Sequence, residues 1–191
     1  MKTKLLMLLV LLGSLWTSNL YAQTRYPKRE FRGAWIQCVN GQFQGMPTEK
    51  MKKVLVSQLD NLQKAGINAI IFQVRAEADA LYKSPYEPWS RFLTGVQGKA
   101  PSPMWDPLQF MIEECHKRNM ELHAWINPYR AKTKGTGALS PMHPYSKNPE
   151  LFVQYAGQLY FDPGLPESRK YICKIVRDIV TRYDVDAIHM D

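Results

Sequence analysis

The sequence is poor in the residues on which metal, thiol and serine-elbow chemistry depends. It contains 3 cysteines and 4 histidines among 191 residues, with no CxxC pair and no metal-ligand set of recognisable spacing. A glycine-rich phosphate loop and a GxSxG elbow are also absent. These absences disfavour metal-dependent deacetylation, and we expect no metal ion and no cofactor.

The three cysteines are predicted to be free thiols. Cys38 falls in a predicted strand, and Cys115 and Cys173 fall in predicted helices, each on the apolar side. Isolated cysteines of this kind are usually buried. The odd number leaves room for one disulfide in an exported protein, but the sequence does not select a pair.

The chain also lacks an apolar run long enough to cross a bilayer. Residues 1–22 combine a basic start, an apolar run at 5–12 and a polar stretch that ends at Ala22, which is typical of a secretory signal peptide. A signal anchor is the alternative, because Leu20 is bulky for the position two residues before the cut. We expect export to the periplasm or the cell exterior, with no stable membrane insertion after cleavage.

Positive charge is in excess but is not concentrated. The formal net charge is +8, and the basic residues are scattered along predicted helix faces, where such side chains are usually solvated. We therefore predict no nucleic-acid partner. The charge gives weak support to an anionic partner such as an acidic glycan, and the sequence does not indicate an oligomeric state.

Strand-like and helix-like segments alternate along the chain. Asp106 and Thr48 are predicted helix N-caps, and Gly66 and Asn119 are predicted stops in the left-handed conformation. Pro166 opens a third helix, whose apolar stripe includes Val180. The predicted strands are residues 32–39, 67–75, 120–126 and 185–190.

Two architectures give this order, a doubly wound sheet and a (β/α)8 barrel. The strand-to-helix connections at 76–105 and 127–165 are long, whereas the helix-to-strand connections are short. The long connections therefore follow the carboxyl ends of the strands, where barrels carry their active sites. We predict an α/β fold over residues 31–191, the N-terminal half of a (β/α)8 TIM-type barrel with four parallel strands and three helices.

The sequence stops directly after the fourth predicted strand. A barrel of this type needs roughly 250 residues, so we expect these 191 residues to be the N-terminal part of a longer protein. Residues 23–30 are predicted to lead into the first strand. The first and fourth strands should then have open edges.

Asp191 is the predicted catalytic residue. It ends the fourth strand, and His189 lies two residues earlier, hence on the same side. We predict His189 as a substrate ligand. A carboxylate at that position in a barrel faces the mouth and can act on a glycosidic bond. The alternative is an Asp that caps a following helix.

The third strand ends in a second group of polar residues. His123 and Asn127 share one side of this strand, and Arg130 follows it closely. An amide and a guanidinium at a strand mouth can hold sugar hydroxyls or a carboxylate. We predict all three as substrate ligands, although a core histidine is the ordinary interpretation of His123.

Arg75 at the end of the second strand is a further predicted ligand. A charged side chain that enters a strand mouth must be paired or contact a ligand. An ion pair with Glu77, Asp79 or Asp191 is the alternative interpretation.

Aromatic side chains crowd the long connections. Trp89 and Tyr129 there, together with Trp35 on the first strand, are predicted to stack on sugar rings. Loop aromatics more often pack a loop onto the fold, so each of them alone is weak support.

Short stretches spread over residues 30–191 together resemble one family. They are EFRGAW (30–35), FQVR (72–75), ALYKS (80–84), PWS (88–90), LTG (93–95), ELHAWINPYR (121–130), DPG (162–164) and VDAIHMD (185–191). By these stretches the chain resembles the glycosyl-hydrolase-like 10 family of exported bacterial proteins.

The resemblance implies a (β/α)8 glycosidase-type domain that acts on envelope polysaccharide, with peptide-free peptidoglycan glycan as the expected substrate class. The last strand is also similar to the fourth strand of α-amylase-like barrels, whose nucleophilic Asp corresponds to Asp191. Those enzymes carry Arg where this chain has His189. The family pattern continues after Asp191 with a second Asp, so the resemblance leaves two candidates for the catalytic carboxylate.

The sequence therefore predicts an exported glycoside hydrolase. Glycosidases normally use two carboxylates, and the chain offers one credible candidate, so we expect the 191-residue piece to be inactive alone. The alternative is a carbohydrate-binding barrel of the cell envelope without chemistry.

Overall fold

A four-stranded parallel sheet is the centre of the protein. A computed structural model describes residues 30–191, so the predicted signal peptide and nearly all of the predicted lead-in lie outside the described residues. The compact unit runs from Arg32 to Asp191. Its elements are β1 (Gly33–Ile36), α1 (Thr48–Lys64), β2 (Ala69–Arg75), α2 (Arg91–Thr94), α3 (Pro107–His116), β3 (Glu121–Ile126), β4 (Arg130–Lys132), α4 (Pro144–Lys147), a 3-10 turn (Pro149–Leu151), β5 (Phe152–Tyr155), β6 (Gln158–Phe161), α5 (Pro166–Arg182) and β7 (Ala187–Met190).

The strand order in this sheet is β1-β2-β3-β7, and every neighbouring pair is parallel. Each step crosses over through one of the long helices α1, α3 and α5. Parallel strands require such crossovers, because a tight turn cannot return the chain to the same end of the sheet. The prediction of four parallel strands and three helices is confirmed for these elements.

The three long helices lie on one face of the sheet. Apolar residues of α1, α3 and α5 form one buried cluster with alternate side chains of the strands, for example Phe72 and Val74 of β2 and Ala124 of β3. The opposite alternation contains Trp35, Gln73 and His189, and none of these three belongs to the cluster formed with the helices. A doubly wound sheet would carry helices on both faces, so the arrangement is that of a barrel wall.

The helix boundaries follow the predicted capping residues with one exception. Asp106 caps α3 by accepting a hydrogen bond from the Gln109 backbone at 3.1 Å, and Gly66 and Asn119 both adopt positive φ. The predicted Thr48 cap is wrong, because Pro47 occupies the cap position and Thr48 is already helical. The Thr48 hydroxyl instead donates to the Pro103 carbonyl at 3.4 Å.

Two further predictions need correction on helix α5. Cys173 is exposed rather than buried, because it lies on the basic face of the helix with Arg169, Lys170, Lys174 and Arg177. Val180 is also exposed and lies outside the buried stripe. Cys38 and Cys115 are buried free thiols, as predicted.

The connection from β3 to α5 is folded rather than irregular, which the sequence does not predict. It contains a three-stranded antiparallel sheet of order β4-β6-β5 and the short helix α4. A separate apolar cluster around Leu159, Phe161 and Ile172 holds this small sheet against α5. Among residues 30–191, no helix combines the length and the apolar character needed to cross a membrane.

Candidate active site

The four parallel strands end in a continuous chain of side-chain hydrogen bonds, which we name the strand-end relay. It consists of Cys38 after β1, Gln73 on β2, Asn127 after β3 and Asp191 after β7. The Cys38 backbone N–H donates to Gln73 Oε1 at 3.0 Å, and Gln73 Nε2 donates to Asn127 Oδ1 at 2.7 Å. Asn127 Nδ2 then donates to Asp191 Oδ1 at 2.7 Å.

The relay places Asn127 and Asp191 together at the carboxyl ends of the strands. Gln73 and Asn127 are buried, whereas Asp191 is exposed. A carboxylate fixed by one buried amide and open to solvent on its other side can approach a bound substrate. Alternation along the strand predicts Gln73 on this face, although the sequence alone gives no reason to select it.

Aromatic rings cover the same face of the sheet next to the relay. Trp35 Nε1 donates to His189 Nε2 at 3.4 Å, and the rings of Trp35 and Trp125 each meet the His189 ring edge-on, at centroid distances of 5.9 and 6.1 Å. Trp35 is 61% exposed. Both indoles also line a cavity of about 680 Å³, together with the amide side chains of Gln37, Asn40, Gln42, Gln58 and Asn61.

Arg75 does not reach the open surface, which corrects its prediction as a substrate ligand. Its side chain is 0% exposed, and its Nε and Nη2 atoms donate to the two carboxylate oxygens of Glu87 at 2.8 and 2.7 Å. Nη1 donates to the carbonyl oxygens of Asn127 and Pro128 at 2.6 and 3.2 Å. Arg75 therefore positions the backbone at the end of β3, and its partner is Glu87 rather than Glu77, Asp79 or Asp191.

The neighbouring carboxylate of Glu87 keeps the buried Arg75 guanidinium charged. Burial by itself lowers the pKa of Arg75, but the Glu87 carboxylate outweighs burial and raises that pKa above its ordinary value. The bidentate geometry is the strongest form of this interaction. The pair fixes residues 87 and 127 relative to each other across two connections.

Glu77 and Arg91 form a second ion pair in the connection after β2. Arg91 Nε donates to Glu77 Oε2 at 3.0 Å, the Thr133 backbone N–H donates to Oε1 at 3.1 Å, and the Thr136 hydroxyl donates to both oxygens. Burial raises the pKa of Glu77, yet these hydrogen bonds outweigh burial and leave the pKa below its ordinary value. The Glu77 charge is thus fully satisfied inside the protein.

Asp79 is a buried carboxyl group that forms no ion pair within residues 30–191. It accepts hydrogen bonds from the Glu77 backbone at 3.2 Å and from Gln97 Nε2 at 3.1 Å. Burial, helped by the nearby Glu77 charge, raises the pKa of Asp79 to about 6. Ala78, between the two acids, has a left-handed backbone with φ of 51°, a conformation that is costly for a residue with a side chain.

His143 fastens the connection after β3 to the one after β2. Its Nε2 lies 3.0 Å from the Glu77 carbonyl and 3.2 Å from the Ala131 carbonyl, and its Nδ1 accepts from the Tyr145 backbone at 3.1 Å. These contacts require a neutral ring that carries its proton on Nε2. Burial lowers the pKa of His143 and maintains that form.

His123 lies away from the relay, and its prediction as a ligand at the strand mouth is corrected. It is the third residue of β3, and its Nε2 lies 3.0 Å from Glu121 Oε2. Four residues of extended strand separate His123 from Asn127, a distance of about 13 Å. The ring is half-buried and pairs with an exposed carboxylate of the same strand, whereas the ordinary interpretation expects a core histidine.

The remaining predicted ligands differ in exposure. Trp89 is half-buried and packs against the main apolar cluster, and Tyr129 is half-buried against the smaller one. Both therefore anchor connections, and their stacking role stays a prediction. Arg130 is half-buried and lines a cavity of about 460 Å³ above the strand ends. No group of three or more metal-ligating side chains is found within residues 30–191.

A carboxylate at the mouth of parallel strands, beside indoles and amides, is the arrangement expected of a carbohydrate-active barrel. The profile described as "Glycosyl hydrolase-like 10" matches residues 30–191. The chain belongs to the glycosyl hydrolase-like 10 family.

Two relatives of this glycosyl hydrolase-like 10 chain are named as glycosyl hydrolases. Glycosyl hydrolase YngK of Bacillus subtilis is 47% identical over 169 residues, which covers 85% of this chain and 33% of that protein. Glycosyl hydrolase DigH of Escherichia coli K12 is 33% identical over 191 residues, covering 89% of this chain and 43% of that protein. The chain therefore spans between a third and a half of the length of these relatives.

Solved structures with the same fold are glycosidases built on TIM barrels. The noncanonic maltogenic α-amylase AmyB of Thermotoga neapolitana has a TM-score of 0.55 at 18% identity, over 84% of this chain and 38% of that one. The α-L-fucosidase isoenzyme 2 of Paenibacillus thiaminolyticus has a TM-score of 0.55 at 15% identity, over 85% and 23%. At these identities the likeness concerns the fold, and the prediction of a partial (β/α)8 barrel for this glycosyl hydrolase-like 10 chain is confirmed.

Proposed function

We propose that the full-length protein is an exported glycoside hydrolase that cleaves bacterial envelope polysaccharide, with peptide-free peptidoglycan glycan as its substrate. Asp191 is the catalytic carboxylate in this proposal. Membership of the glycosyl hydrolase-like 10 family and the names of the relatives support the reaction class. The leader-like pattern of residues 1–22 supports export to the periplasm or the cell exterior.

The observation that carries the proposal is the setting of Asp191. Its side chain is exposed at the carboxyl end of the fourth parallel strand, while the 2.7 Å bond from Asn127 fixes one of its oxygens. Catalytic groups of parallel barrels lie at this end of the strands. A fixed, accessible carboxylate there suits a nucleophile or an acid/base group at a glycosidic bond.

The surroundings of Asp191 favour a sugar over other small molecules. The exposed indole of Trp35 offers a flat apolar surface on the same face of the sheet, as pyranose stacking requires. Amide side chains near it can donate and accept hydrogen bonds with hydroxyl groups. We assign Trp35 and His189 to the floor of the sugar site and Arg130 to its rim.

A second carboxylate is needed for the usual mechanism. Glu77 and Asp79, which also follow a strand end, are fully buried and take part in internal hydrogen bonds. We therefore propose that the 191-residue chain by itself does not turn over substrate. The same burial favours the second candidate, a carbohydrate-binding barrel without chemistry.

The test measures hydrolysis of purified glycan, stripped of its peptides, by the full-length protein. Asp191→Asn keeps the shape and the bond from Asn127 but removes the charge, and we expect it to lower the rate by at least about 100-fold. Asp184→Asn is the matched control. Asp184 is 94% exposed and precedes the same strand at its opposite end, so its substitution should leave the rate unchanged.

Equal rates for the wild type and Asp191→Asn would remove Asp191 from the mechanism. Binding of glycan without any release of new reducing ends would favour the non-catalytic barrel. Turnover by the isolated 191-residue chain would contradict its expected inactivity.

A further inference from the structure

The cavity that contains Arg130 adjoins the indole-lined cavity around Trp35, since Asn40 lines both. Its volume is about 460 Å³, and it lies among the connections that follow β1, β2 and β4. The residues that line it come from all three connections: Val39, Asn40, Gly41, Gln44, Glu77, Arg91, Phe92, Arg130, Thr133 and Gly135.

The negative charge in this cavity is already satisfied. The Glu77 carboxylate receives hydrogen bonds from Arg91, Thr133 and Thr136, and Glu77 is fully buried. Arg91 is in turn committed to this pair and to the face of the Phe92 ring, 4.1 Å from the ring centroid. These two opposite charges cancel within the protein wall.

Arg130 is the other cationic side chain that lines this cavity. Among residues 30–191 no hydrogen bond, ion pair or ring contact of its side chain is found, although the side chain is half-buried in the cavity wall. Removing a guanidinium from part of its water without giving it a partner costs free energy. The planar fork of a guanidinium matches a carboxylate in a bidentate geometry.

The cavity is near the proposed catalytic carboxylate. Asn127 contacts Asp191 directly, and Arg130 is the third residue after Asn127. Three residues of chain span at most about 11 Å between their Cα atoms. A single oligosaccharide can therefore contact both positions.

We propose that Arg130 binds a free carboxylate carried by a sugar unit of the substrate, at a subsite beside the one that holds the scissile bond. This inference rests on the proposed function and narrows it to acidic glycans. Arg130 acts as a specificity residue: a neutral sugar unit leaves the guanidinium without a partner, and an acidic one supplies it. The Glu77–Arg91 pair supports the wall of the subsite and does not bind the ligand.

The experiment measures binding of monosaccharides that cannot be cleaved, by NMR titration of the full-length protein. The probes are N-acetylmuramic acid, its methyl ester and glucuronic acid. We expect the wild type to bind N-acetylmuramic acid about tenfold more tightly than the ester. In Arg130→Gln the two affinities should be equal, at the level of the ester.

Lys132→Gln is the matched control, because it removes one positive charge from the same strand two residues away. It should keep the tenfold preference for the acid. An equal affinity of the wild type for acid and ester would overturn the inference. An equal loss in Arg130→Gln and Lys132→Gln would do the same, since it would indicate general attraction by positive charge.

Glucuronic acid distinguishes the two sources of a sugar carboxylate. Tight, Arg130-dependent binding of glucuronic acid would support a carboxylate subsite and assign it to uronic acids rather than to a lactyl group. Hydrolysis is measured separately. Arg130-dependent acid binding in a protein that never cleaves glycan would refute the proposed function and leave this inference standing.

Discussion

Two arginines at the carboxyl ends of the strands have opposite surroundings. Arg75 is completely buried, and its guanidinium donates to Glu87 and to two backbone carbonyls. Arg130 is half-buried in the wall of a cavity and has no partner found among residues 30–191. The first region uses its charges to hold connections together, and the second leaves a charge available.

The difference distinguishes an arginine that stabilises the fold from one that is available to bind a ligand. A buried charge needs an opposite charge within the protein, because a buried ion without one lowers the free energy of unfolding by about 3–5 kcal/mol. A partly exposed charge can remain unmatched until a ligand arrives. Arg75 ends β2 and Arg130 closely follows the end of β3. Position in the sequence therefore does not reveal that one is structural and the other available, and only the partner does.

Breaking the buried pair should have the largest effect. Glu87→Gln keeps the shape of the side chain but leaves the Arg75 charge uncompensated, and we expect it to lower the free energy of unfolding by about 3–5 kcal/mol. Urea denaturation measures the change. Glu49→Gln is the control: it removes a carboxylate from the exposed pair with Lys52 and should cost less than about 1 kcal/mol. Similar losses in both variants would contradict the structural role of the Arg75 pair.

Asp79, the buried acid without an ion-pair partner among residues 30–191, should have the second largest effect, which appears in the pH dependence of stability. Burial raises the pKa of Asp79 to about 6 from 3.8, so the folded state binds its proton more tightly than the unfolded state. The stability that Asp79 contributes is complete below the unfolded pKa near pH 4 and is lost as pH rises through about 6. The loss amounts to about 3 kcal/mol.

Asp79→Asn removes this titration and keeps an acceptor for Gln97. Its free energy of unfolding should exceed that of the wild type at pH 8 and lose the advantage at pH 4. Denaturant curves at both pH values give the difference in free energy of unfolding between variant and wild type. His143, whose lowered pKa makes stability rise with pH, is present in both proteins and cancels from this difference. A constant difference at the two pH values would show that Asp79 is matched after all.

Asn127 joins the two regions, and its removal should have an intermediate effect. Asn127→Ala leaves Gln73 and Asp191 without their shared amide, and we expect a loss of about 1–3 kcal/mol in stability. As a positioning residue, Asn127 should affect kcat for glycan more than KM. Gln63→Ala is the comparison, because the Gln63 amide donates to the Arg118 backbone carbonyl outside the relay and outside the indole-lined cavity. A pure KM effect in Asn127→Ala would indicate direct binding of substrate instead.

Arg130→Gln should have the smallest effect on stability. Its side chain forms no hydrogen bond or ion pair within residues 30–191, so the free energy of unfolding should change by less than about 0.5 kcal/mol. Thermal and urea unfolding check this on the sample used for sugar titration. A loss comparable to that in Glu87→Gln would mean that Arg130 is structural, and the comparison between the two arginines would fail.

The sequence predicted those features that local chemistry determines. Asp106, Gly66 and Asn119 mark helix ends because capping depends on one residue and its backbone. The long connections on one side predicted a barrel with its site at the strand ends. Both Asn127 and Asp191 were predicted at the carboxyl ends of their strands, and the structure joins them at 2.7 Å.

Features that depend on the folding of the connections were not predictable. Glu87 meets Arg75 only because the connection after β2 returns over the strand end, and three other acids were equally available in sequence. The small antiparallel sheet was missed because its strands are 3 or 4 residues long, and β5 has mostly exposed residues without alternation. Cys173 was misplaced because a thiol counts as apolar on whichever side of a helix it falls.

The strand-end relay has a direction. A backbone N–H can only donate, so the group at residue 38 obliges the amide of Gln73 to turn its oxygen toward β1 and its nitrogen toward β3. The amide of Asn127 must then turn the same way, and a proton donor always faces Asp191. If either amide flipped by itself, two hydrogen-bond donors or two acceptors would face each other. Both ends of the row impose the same orientation, since the carboxylate of Asp191 can only accept. A Cys38→Pro substitution at the far edge of the sheet would remove the donor that begins the row and leave its direction to the aspartate alone.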